Sequence, residues 1–106
     1  MLRASAHATS QPVELRAITE HARDPLLPAG RELLAFTSAL IGDGDQLDAA
    51  RDALRAAVGD AGVVRAAAVA GNFQMMNRLV DATGVPLGAS MRAFAAELGI
   101  DPPPLR

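Results

Sequence analysis

The chain has 106 residues, half of them hydrophobic, with three Phe, no Trp, Tyr or Cys and a formal charge of −2. That length suits one domain, and the missing cysteines exclude disulfides, thiol nucleophiles and thiolate metal sites. Ten Arg and twelve acidic residues alternate without a basic stripe, which argues against nucleic acid, and no apolar run approaches the ~20 residues of a membrane span.

Residues 1–11, MLRASAHATSQ, are rich in Ala, Ser and Thr without an apolar core, and read as a frayed N-terminal tail. A first helix is expected from about Pro12 to Arg23, with Leu15, Ile18 and Ala22 as a narrow apolar stripe and proline tolerated in the first turn. Asp24-Pro25-Leu26-Leu27-Pro28 breaks it, because a residue before proline avoids the helical region. A second helix opens near Pro28–Gly30 and ends near Ile41, with Leu33, Leu34, Phe36, Leu40 and Ile41 on a broad face. After the turn Gly42-Asp43-Gly44, Asp45 is the expected N-cap of a third helix. That helix carries Leu47, Ala50, Leu54, Ala57 and Val58 and stops at Gly59.

The fourth helix is the long one, from about Asp60 to Ala82. Val69, Phe73, Met76 and Val80 make one row, and Ala68, Asn72, Met75 and Leu79 the adjacent row. Two adjacent rows give a wide apolar face, so this helix is expected to sit centrally. Thr83-Gly84-Val85-Pro86 ends it. A fifth helix repeats Leu87, Met91, Phe94, Ala95 and Leu98 on one face, and Gly99 with Ile100 suits a Schellman stop. The expected fold is therefore all-α: one domain over 12–100, about five helices around a long central fourth helix, then a Pro-rich tail at 101–106.

Few residues carry chemistry. His7 and His21 are the only histidines, and neither sits in a metal-binding pair. Asp43, Asp45 and Asp48 fail the calcium-loop pattern and read as turn and cap residues. Gly42 and Gly44 lack the rest of a phosphate cradle. No metal or cofactor is expected. Asn72 and Asn77 stand out because a buried amide must be hydrogen-bonded or it costs ~1–3 kcal/mol. Both are expected to tie neighbouring helix ends or loops, and Arg78 and Asp81 have the spacing to pair.

The segment Phe73-Gln-Met-Met-Asn77-Arg78-Leu-Val-Asp81-Ala-Thr-Gly84-Val-Pro86-Leu87 resembles the C-terminal signature of AhpD-like proteins, in the alkylhydroperoxidase / carboxymuconolactone decarboxylase superfamily. Members show a Phe-Asn-x-Met-Asn-Arg-like segment followed by Ala-Asp-x-x-Gly-Val-Pro. Upstream, Leu33-Leu34-Ala35-Phe36 and Leu54-Arg-Ala resemble the helical stretch preceding that signature, so the likeness spans roughly residues 31–99. It implies an AhpD-like helical bundle that commonly assembles into dimers, trimers or rings. It would also imply peroxidase or disulfide reductase chemistry on a Cys-x-x-Cys pair, and this chain departs there completely, having no cysteine. Thiol peroxidase chemistry is thus excluded. The matching Phe73, Asn77, Arg78, Asp81, Gly84 and Pro86, with Asn72 and Met76 beside them, are expected as structural or contact residues.

The expected function is a noncatalytic AhpD-like module that acts in the cytoplasm through homo-oligomerisation or a second protein chain, with no nucleic-acid or membrane partner. The alternatives are a small-molecule binder lined by Phe73, Met75 and Met76, or a cysteine-independent decarboxylase or isomerase. The latter needs a Glu and a His converging on a pocket, with Glu14, Glu20, His21 and Glu32 as candidates.

Overall fold

In a computed structural model, the described residues are 2–102, with side chains from Ala4 onward. The chain is all-helical among these residues. In order it forms α1 (Leu2–Ala8), a 3₁₀ turn (Leu15–Ile18), α2 (Gly30–Ile41), α3 (Leu47–Thr83) and α4 (Ala89–Glu97). The expected five helices become four α-helices. Residues 103–106 of the Pro-rich tail lie outside the described range.

Three differences account for the count: one helix is lost, two merge, and α1 forms within the expected N-terminal tail. The expected helix at 12–23 collapses to the 3₁₀ turn. Glu14 caps that turn by accepting from the Arg16 N–H at 2.9 Å. Thr19 then diverts the chain: its hydroxyl donates to the Leu98 carbonyl at 3.0 Å, with the Arg16 carbonyl within reach at 3.3 Å. A threonine that bonds the backbone this way competes with helix continuation. Conversely, the expected third and fourth helices run together as α3 across a kink at Gly59, whose φ of 76° and ψ of 174° are non-helical. Arg55 spans the kink, with Nη1 on Asp52 and Nε on Asp60, both at 2.8 Å. Asp60, which by its place before the expected fourth helix would cap it, is thus occupied by Arg55, and Asp45 caps nothing, since Gln46 precedes α3 without a side-chain cap.

Within the expected N-terminal tail, Leu2–Ala8 is helical and Ala6 is buried. The Gln11 N–H reaches back to the Ala6 carbonyl at 2.9 Å, with Ser10 left-handed at φ 54°. The helix ends further along follow glycine chemistry. Gly84 is left-handed at φ 67°, and the Val85 N–H returns to the Val80 carbonyl at 3.2 Å. Gly99 repeats the pattern at φ 73°, with Ile100 returning to Ala95 at 2.9 Å. Both are Schellman stops.

The core is small. Its buried apolar residues are Ala6, Leu15, Ala17, Phe36, Leu54 and Leu98. The principal helix packing is α2 on α3, and Thr19 ties the end of α4 to the 3₁₀ turn. Leu54 is the only buried residue of α3. Beyond the kink, residues 60–83 form an arm about 36 Å long. Its half-buried stripe is Val63, Ala66, Ala67, Ala70 and Gln74. The larger apolar side chains lie about 150° away around the axis, and they are exposed.

Candidate functional site

Every candidate residue of the AhpD-like signature falls on this arm or the loop after it, and every one is exposed: Asn72, Phe73, Met76, Asn77, Arg78, Asp81, Gly84 and Pro86. Asn72 Nδ2 contacts the Met76 sulfur at 3.8 Å. Asn77 has no hydrogen-bond partner among the described residues, and Arg78 and Asp81 form no ion pair. Within one chain, therefore, Asn77 and Arg78 do not tie the arm to a neighbour. Gly84 does the structural work, through the left-handed stop above.

What the arm presents is a continuous apolar face. Val69, Phe73, Met76 and Val80 follow one another at spacings of four, three and four, and Met75 and Leu79 lie beside them. Phe73 is 51% exposed and Leu79 58%. Val85, Leu87 and Met91 extend the exposed apolar surface past Gly84. Phe73 and the two methionines line no cavity among those described. They form a surface.

The surface area fits this picture. The chain exposes 7723 Å², whereas a folded monomer of 11.0 kDa exposes about 5,600 Å². The excess of about 2,000 Å² is more than the ~800 Å² that each partner gives to a standard interface. The radius of gyration, 15.0 Å, also exceeds the ~13 Å of a compact chain this long.

The acid–base candidates meet elsewhere, and they meet an arginine. Glu20 pairs directly with Arg23, and Glu14 lies 3.9 Å from the same guanidinium. The hydrogen bond and charge of Glu20, then the charge of Glu14, hold the Arg23 pKa above its ordinary value. The histidine faces the opposite sign: His21 lines a cleft with Arg23 and Arg31. Glu32 is half-buried in the first turn of α2 and lines none of the described cavities. No group of three or more His, Cys, Asp or Glu among the described residues is placed to hold a metal ion, and no helix among them is long and apolar enough to cross a membrane.

A second concave feature escaped the sequence reading. An apolar groove of about 300 Å³ runs between the 3₁₀ turn and α2, lined by Val13, Leu15, Ile18, Leu33, Leu34 and Thr37 among others. Its only sequence signal was the apolar pair Leu33-Leu34 beside the core residue Phe36, which gives α2 more apolar surface than one contact needs. Comparison with known proteins finds no matching family model, no matching curated protein and no matching solved structure.

Proposed function

We propose that the protein is a noncatalytic helical module, AhpD-like in its 73–87 segment, that works by self-association. Two copies pair through the outer face of the α3 arm, around Val69, Phe73, Met76 and Val80. The observation that carries this is the exposed apolar face together with the surface excess. A face this large on one element normally meets a partner, and a second copy is the simplest one because a twofold axis makes one patch complementary to itself. Two such excesses, about 4,000 Å² together, fall within the ~2,000–5,000 Å² total of an obligate homodimer interface. The likeness of residues 73–87 to proteins that commonly assemble leans the same way.

The test is native mass by light scattering on a size-exclusion column, for the wild type and for Phe73→Asp. The expected result is a dimer or larger closed oligomer that Phe73→Asp converts to a folded monomer. A wild-type chain that elutes as a clean monomer at tens of micromolar sinks the proposal. A stable oligomer indifferent to Phe73→Asp would move the interface off the arm.

A further inference from the structure

The groove on α2 has a feature that self-association does not use. Around α2, Phe36 points into the core, Gly30, Leu33 and Thr37 line the apolar groove, and Arg31, Ala35 and Ser38 line a second cleft of about 200 Å³. Leu34 stands between the two faces and lines both cavities. The second cleft has His21, Arg23 and Arg31 on its walls. Arg23 is held by Glu20 and Glu14. Arg31 has no ion-pair partner among the described residues. It also sits in the first turn of a helix with no side-chain cap, since Ala29 occupies the N-cap with φ 53°. An apolar trough thus opens beside an unpaired cation.

We propose that groove and cleft form one binding site for an amphiphilic carboxylate, a medium-chain acyl anion. The chain lies along Leu15, Ile18, Leu33 and Leu34, and the carboxylate meets Arg31. Charge complementarity argues for the occupant: a purely apolar ligand leaves Arg31 without a counter-charge, while Glu14, the acid on the groove wall, already faces Arg23. The groove's volume of about 300 Å³ lies at the lower end of small-molecule sites. That size suits a medium-length acyl chain. The half-buried Thr37 stands on the groove wall, where a larger side chain would fill the trough.

The experiment is calorimetric titration of the full chain with decanoate, below its micelle-forming concentration, alongside octanoate, hexanoate and decanol. One saturable site per chain is expected, with affinity rising about fourfold per methylene along the acid series. Arg31→Gln, at an exposed position, should weaken decanoate about tenfold and leave decanol unchanged. Thr37→Phe, with native far-UV circular dichroism, should weaken both. Three results overturn the proposal: no saturable decanoate binding, decanoate and decanol binding that Arg31→Gln leaves equal, or binding that survives Thr37→Phe and is lost in Phe73→Asp. The last would place the ligand on the arm.

Discussion

The two halves of α3 are built from similar residues, yet only the first contributes to the core. Before Gly59, Leu54 is fully buried, in the half of the molecule that holds Phe36, Leu15 and Ala17. After Gly59, Val69, Phe73, Met76, Leu79 and Val80 stand exposed, while Ala66, Ala67 and Ala70 are half-buried. Hydrophobic content does not separate the halves; the supply of opposing surface does. The helices available to cover α3 are short, and α2 commits its Phe36 to the core. A face of Val, Phe, Met and Leu left outward by one chain is stable where another surface closes over it, because apolar burial supplies the main favourable term in association.

The largest expected effect separates the halves directly. Leu54→Ala empties a fully buried site and should lower stability by about 2–5 kcal/mol, read as a reduced urea midpoint. Leu79→Ala removes a side chain of the same size that is 58% exposed. In dilute, dissociated protein it should change stability by no more than about 0.5 kcal/mol. Its effect should appear only where copies associate, as a lower melting temperature that converges on the wild type upon dilution. If Leu79→Ala costs as much as Leu54→Ala in the dissociated chain, the arm is packed within the monomer and the contrast collapses.

The boundary between the halves supplies the next test. Gly59, at φ 76° and ψ 174°, lies in a region essentially reserved for glycine. A Cβ there would meet nothing within 4 Å, so the penalty of Gly59→Ala is backbone strain alone, about 1–3 kcal/mol. The chain can relieve that strain by straightening α3 into a continuous helix. Small-angle scattering on the dissociated protein should then show a radius of gyration above that of the wild type. An Ala variant with unchanged stability and unchanged dimensions would mean that the kink is not held by Gly59.

How much of this was legible in the sequence follows from the range of the forces involved. Local signals read correctly: the second helix ends at Ile41 as its pattern says, and Gly84 and Gly99 stop their helices by chemistry carried in neighbouring residues. Contacts distant in sequence did not. The helix expected at 12–23 is lost partly to a bond from Thr19 to Leu98, which no local window contains. Gly59 was legible as an interruption, but whether the chain stops or bends there depends on the continuing backbone bonds and on Arg55 reaching Asp60. The wide apolar face was legible too. That it faces outward was not, because amphipathicity says which residues seek cover and is silent on what covers them.

The smallest expected effects concern the two asparagines, which the sequence treats as alike and the structure separates. Asn72 lies inside the exposed apolar face, four residues before Met76 and touching its sulfur. Asn77 lies about 140° away around the helix, exposed and without a hydrogen-bond partner among the described residues. Asn77→Ala should therefore leave both stability and native mass unchanged, within about 0.5 kcal/mol. Asn72→Leu should make the face more apolar and tighten self-association, seen as an oligomer that survives greater dilution than the wild type. A weaker oligomer in Asn72→Leu would mean that its amide finds a partner across the interface, since an amide buried there needs a hydrogen bond. A loss of stability in Asn77→Ala would place the interface on the arm's other side. The pair thus maps which sector of the arm is covered.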